Sequence, residues 1–193
     1  MNLEQLRVGF AFCGSFCTMS KALDALEQTA ARFGPVTPIV SETVASTDTR
    51  FGAAHDFMRE MERICGRRVI STVAGAEPIG PKGLLDVLVI APATGNTIAK
   101  LAAGIADTSV TMAAKSHLRN GRPVVLAVSS NDGLAAGARN IGELLVRRNH
   151  FFVPFGQDNA EMKPSSLVAD FGKLPETVDA ALRGEQIQPL LLR

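Results

Sequence analysis

The chain contains no tryptophan and no tyrosine, and its ten phenylalanines are its only aromatic residues. Proteins that bind single-stranded nucleic acid stack bases on aromatic side chains, so such a platform is thin here. Charge of one sign is missing too: 20 Lys and Arg stand against 19 Asp and Glu, a net charge of +1. No basic block could neutralise a run of phosphates, and nucleic acid is not an expected partner. Three cysteines are an odd and small number for a disulfide framework, which favours a reducing, cytoplasmic setting. Three histidines stand in no spacing with cysteines or carboxylates that would ligate a metal, so none is expected. There is no apolar run of about 18 residues to span a membrane. Met1 to Arg7 lack the basic start and apolar stretch of a signal peptide.

What the chain does have is apolar content of 46% over 193 residues, enough for a sizeable core. No linker or internal repeat divides it, so residues 1–193 read as one domain with an extended tail over 184–193. Short β-prone runs alternate with helical periodicity. Strands are expected at 7–12, 36–40, 69–73, 84–91, 123–128 and 151–155. Helices are expected at 20–33, 51–64, 96–106, 112–119, 135–148 and 174–182. Stretches 41–49, 75–83 and 156–166 read as loops. The pattern is that of an α/β protein with a mostly parallel, doubly wound sheet between helical layers, a three-layer Rossmann-like fold.

In such a fold ligands bind beyond the carboxyl ends of the strands. Four of those ends carry small, hydroxyl or amide residues: Gly14-Ser15-Phe16-Cys17-Thr18, Ser41-Glu42-Thr43, Thr94-Gly95-Asn96-Thr97 and Ser129-Ser130-Asn131-Asp132. Neutral donors of this kind suit a phosphate and a polar heterocycle. Hydroxyls after strands also serve simply as helix N-caps. The first turn holds only Gly14, and the next glycine is Gly34. A dinucleotide fingerprint is therefore absent, as are a Walker A loop and a Gly-x-Ser-x-Gly elbow, and a mononucleotide-sized ligand fits better. Cys13 and Cys17 read as buried thiols. His117, beside Lys115 and Arg119, reads as part of a solvated helix face, and Arg67-Arg68 as a solvated turn.

The run Ala91-Pro92-Ala93-Thr94-Gly95-Asn96-Thr97 resembles the Pro-Ala-Ser/Thr-x-Asn-Thr signature of the homo-oligomeric flavin-containing cysteine decarboxylase superfamily. Residues 101–107 and Gly14-Ser15 fit it as well. Six further segments, at 13–18, 46–52, 75–82, 112–115, 128–132 and 152–158, resemble one family in that group, the dipicolinate synthase B subunits. The resemblance implies a flavoprotein fold with FMN and homo-oligomerisation. It also implies oxidation of dihydrodipicolinate to dipicolinate together with an A subunit, in the mother-cell cytoplasm of a spore-forming bacterium. NAD(P) would enter only through that A subunit. By the same resemblance Gly14 and Ser15 would meet the FMN phosphate, and Ser41 would lie near the flavin. Thr94, Asn96 and Thr97 would line the isoalloxazine and ribityl side, and Ser129 and Asn131 would close the far side. The decarboxylases carry a histidine shortly before the central strand. Stretch 75–83 has none, and Pro78 stands near its place.

A planar dicarboxylate substrate needs a cation to clamp a carboxylate. Arg50, inside the hydroxyl-rich stretch, is the first candidate, followed by Lys82 and Lys115; His55 or Glu77 could act as base. The alternatives are a non-redox subunit that organises the A subunit around a vestigial pocket, and a flavin-dependent decarboxylase. Gln157, Asp158, Lys163 and the tail from Gln186 are candidates for the partner surface.

Overall fold

A computed structural model describes residues 6–192. Five strands run parallel: β1 (Val8–Phe12), β2 (Val36–Val40), β3 (Val87–Ala93), β4 (Val124–Ser130) and β5 (His150–Phe152). β2 and β3 flank β1, and β4 lies beyond β3. An antiparallel hairpin, β6 (Phe155–Asn159) and β7 (Lys163–Ala169), completes a seven-stranded sheet in the order β2-β1-β3-β4-β7-β6, with β5 paired on β4 outside that path. β4 divides its partners. Val124 to Leu126 pair with β5, while Ser129 and Ser130 pair with β7.

β1 and β3 are buried at every residue, which only a sheet covered on both faces allows. α1 (Met19–Phe33) packs on α3 (Ala54–Cys65) and α8 (Leu174–Leu182), and α5 (Gly95–Ala103) packs on α6 (Ser109–Leu118) and α7 (Ala138–Leu145). Two shorter helices, α2 (Glu42–Ser46) and α4 (Val73–Ala76), complete the set. α1 buries Ala22, Ala25, Leu26, Thr29 and Phe33 at helical spacing, the stripe that pins it to the sheet. α5 starts at a Thr94 cap and stops at Gly104, whose φ of +73° is the left-handed conformation glycine adopts freely. The ladder between β3 and β4 shifts between Ile90 and Ala93, where Pro92 has no N–H to donate. The tail runs alongside β6: the Phe155 N–H donates to the Leu190 carbonyl (3.0 Å) and the Leu192 N–H to the Phe155 carbonyl (2.9 Å). Among the described residues, no helix is long and apolar enough to cross a membrane.

Four expectations are corrected. Stretch 69–73 is not a strand: Ile70 makes a single bridge to Ile39, and from Val73 the chain coils into α4 under a Thr72 cap. Stretch 156–166 is not a loop but most of the β6–β7 hairpin. Residues 157–164 are exposed, which gives the hairpin tip the polar composition of a loop. The 41–49 loop contains α2, capped by Ser41. His117 is not solvated. It is 1% exposed in α6, its Nε2 donates to the Pro123 carbonyl at 3.0 Å, and burial pushes its pKa down to about 4.

Candidate functional site

From β1 the chain crosses to β2 on one side, then returns past β1 to place β3 on the other. The loops leaving β1 and β3 therefore diverge, and a crevice opens between them. Here it is a cleft of about 620 Å³, larger than hollows beside α1 (about 360 Å³) and α8 (about 440 Å³).

Three hydroxyls from separate elements meet at its base. Ser15 follows β1, Thr18 precedes α1 and Ser129 is the penultimate residue of β4. Ser15 Oγ is 2.8 Å from Ser129 Oγ. Thr18 Oγ1 is 3.0 Å from Ser15 Oγ, 3.3 Å from Ser129 Oγ and 2.9 Å from the Ser15 carbonyl oxygen. On the β3 side, Thr94 caps α5 by accepting from the Thr97 N–H at 3.3 Å. A Cβ on Gly95 would stand 2.6 Å from Ser130 Oγ and 2.7 Å from Asp132 Oδ1, so glycine lets the α5 N-terminus approach without displacing those two side chains. Cys13 lies beneath, against the Thr97 hydroxyl and the Thr94 backbone, and burial pushes its thiol up to about 11. Such a thiol is inert at neutral pH. Cys17 is exposed and lines the cleft, contrary to the expectation of burial.

Arg50 reaches the cleft from a tight turn. Thr49 and Gly52 exchange backbone hydrogen bonds of 3.0 and 3.1 Å, and the left-handed φ of +147° at Gly52 suits glycine. Asp48 Oδ1 accepts from the Ala54 N–H at 2.9 Å and ties the turn to α3. The Arg50 guanidinium lies 4.8 Å from the centre of the Phe51 ring, a cation–π distance.

The cleft brings together Gly14, Ser15, Arg50, Thr94, Asn96, Ser129 and Asn131 of the expected residues. Thr97 is buried behind Thr94. Ser41 spends its hydroxyl on capping α2, accepting from the Val44 N–H at 3.4 Å, and does not line the cleft. His55 is exposed on the first turn of α3, 3.7 Å from Asp56, outside the cleft lining. Lys82 precedes β3, and a parallel strand carries its N-terminal side to the opposite edge of the sheet. Within one chain Lys82 is therefore not at the cleft. Thr18, from the hydroxyl-bearing end of the first strand, lines it too, and Lys21 and Lys163 line it without having been expected there. Thr18 and Lys21 stand in plain sequence, one turn apart just past Gly14-Ser15. Lys163 arrives through a strand pairing that no local pattern announces.

A model of the flavoprotein family matches residues 2–135. The B subunit of dipicolinate synthase from Bacillus subtilis (strain 168) is 42% identical over 191 residues, 99% of this chain and 96% of that protein. The crystal structure of the corresponding B subunit from Bacillus halodurans C is 44% identical, with a TM-score of 0.91 over 100% of this chain and 99% of that one. Burkholderia xenovorans DmrB, solved in complex with FMN, shares the fold at 20% identity, with a TM-score of 0.66 over 93% of this chain and 96% of its own. With its crevice at the β1/β3 switch point and likeness over its whole length, the chain belongs to the flavoprotein family, among the dipicolinate synthase B subunits.

Proposed function

We propose that the cleft holds FMN and that the chain acts with an A subunit to oxidise dihydrodipicolinate to dipicolinate. The observation that carries this reading is the Ser15–Thr18–Ser129 hydroxyl cluster at the base of a 620 Å³ cleft, a volume within the range of small-molecule sites. Neutral donors with Lys21 nearby on α1 fit a phosphate. The amides of Asn96 and Asn131 offer both donors and acceptors to the edge of a heterocycle. Gly95 leaves room for close approach. Bound there, FMN would supply a two-electron acceptor. The chain's own work is then to hold the phosphate on its hydroxyls and to orient the substrate. Arg50 has no ion-pair partner among the described residues. Its planar fork suits a carboxylate, and the Phe51 ring keeps it aimed.

Two comparisons support the reading: close relatives are named as B subunits of dipicolinate synthase, and a protein of the same fold was solved with FMN. The reading includes a homo-oligomer with its flavin sites at subunit contacts, NAD(P) chemistry confined to the A subunit, and the cytoplasm as the setting. The test is an absorption spectrum of the purified chain after adding FMN and passing it through gel filtration. Retained bands near about 370 and 450 nm, bleached anaerobically by dihydrodipicolinate when the A subunit is present, are expected. A chain that stays colourless alone and in complex with the A subunit overturns the flavin reading and leaves a non-redox organiser of that partner.

A further inference from the structure

The cleft has two flanks of different origin. One is the Thr49–Gly52 turn, which follows β2 and carries Arg50; the other is the β6–β7 hairpin, on the far side of β4. The hairpin brings Lys163 and Asp158 to the cleft, bonded to each other at 2.7 Å. The β6–β7 register shifts between Gln157 and Asn159, which places Asp158 at the irregular position of its strand. Lys163 keeps 58% of its side chain exposed. An exposed ion pair of this kind is cheaply broken, and the flexible lysine stem can redirect its charge. Arg50 and Lys163 are thus two cations facing one cavity from opposite flanks, one without an ion-pair partner among the described residues and the other held by a replaceable one.

We infer that Lys163 is a second carboxylate-binding cation, that Asp158 is the internal stand-in a substrate carboxylate displaces, and that Arg50 and Lys163 together select planar dicarboxylates over monocarboxylates. This rests on the reading of the cleft as a dipicolinate-forming site and adds what sets its specificity. Each carboxylate takes one cation: the first lies on the Arg50 fork, the second replaces Asp158 on Lys163. A ligand with one carboxylate uses Arg50 alone.

The test is isothermal titration of the full-length chain, loaded with FMN, with pyridine-2,6-dicarboxylate and with pyridine-2-carboxylate. The wild type is expected to bind the dicarboxylate at least tenfold more tightly. Lys163→Gln should bring the ratio close to one while leaving the monocarboxylate affinity and FMN retention unchanged. Asp158→Asn should tighten only the dicarboxylate, severalfold, an effect that a merely structural ion pair would not produce. Arg50→Gln should weaken both ligands. If the wild type discriminates and Lys163→Gln discriminates equally well, the second clamp is overturned and the proposed function stands. If the wild type binds neither ligand, alone or with the A subunit, the functional reading fails and the clamp fails with it.

Discussion

The two edges of the sheet handle charge in opposite ways. At the amino edge of β1 and β3 the Arg7 guanidinium grips Asp86 through Nε (3.0 Å) and Nη2 (2.6 Å) and donates to the Gly83 carbonyl at 2.7 Å. Arg122 adds a contact to Asp86 at 3.2 Å and another to the Leu85 carbonyl. These bonds, the Arg7 pair first, hold the Asp86 carboxyl below its usual range. The carboxyl edge keeps hydroxyls bonded to one another and to the Ser15 carbonyl, an arginine stacked on a ring, and a lysine on an exposed carboxylate. The first edge has spent its polar groups on itself; the second has kept them for exchange. Binding capacity belongs where internal partners are weak or missing, not where charges are densest.

Substitutions at matched positions test that contrast, and the largest effect belongs to the amino edge. A Cβ on Gly80 would overlap the Ser116 carbonyl oxygen, and backbone cannot step aside. Gly80→Ala should cost about 3 kcal/mol in denaturant unfolding while FMN retention in the surviving folded protein stays unchanged.

Next comes acid. Burial depresses the His117 pKa to about 4 and also lowers that of His150, whereas the unfolded chain titrates near the ordinary 6.5. Between those values the unfolded state holds more protons, so stability is full above pH 6.5 and falls as pH drops towards 4. A loss on the order of 2 kcal/mol over that window is expected. His117→Gln should flatten the part of the slope due to His117, measured by thermal unfolding at several pH values.

Ser129→Val removes the hydroxyl that joins β4 to Ser15 and Thr18. FMN affinity should fall about tenfold, read by fluorescence titration, with a smaller change in melting temperature. A variant that melted much earlier yet held flavin normally would erase the distinction between the edges. The smallest effect is expected from Gly95→Ala. Its Cβ meets the ends of Ser130 and Asp132, side chains that can swing away. Flavin binding should weaken only severalfold with stability nearly intact.

The strands of the parallel core are readable because burial leaves a plain mark. Residues 84–91 are apolar without alternation apart from Asp86, as suits a central strand, and the observed β3 overlaps them from Val87, past that charge. The strand-end hydroxyls are equally plain, but their duties are not. Ser41 and Thr94 both follow strands and both cap helices, yet only Thr94 also faces the cleft. The difference is the position of each strand in the sheet, which is a long-range fact. The hairpin escapes a local reading because its outward residues are polar enough to pass for a loop, and its docking on β4 escapes it because Ser129 pairs with Val168 and Ser130 with Leu167, far apart in sequence. His117 misleads for a simpler reason: charged neighbours two residues away lie on another side of the helix. Lys82 can be placed from sequence alone, since a residue just before a parallel strand belongs to the edge away from the ligand.

The short pairing of the tail with Phe155 has a consequence for how the molecules behave in company. β6 is the outermost strand of its side of the sheet, and an unpaired outer strand is a template onto which another molecule can add its own. Leu190 and Leu192 occupy the Phe155 backbone groups from within the same chain. At that position the protein has already completed the pairing a stranger would seek, and residues 190–192 work as a guard against aggregation as much as a continuation of the fold.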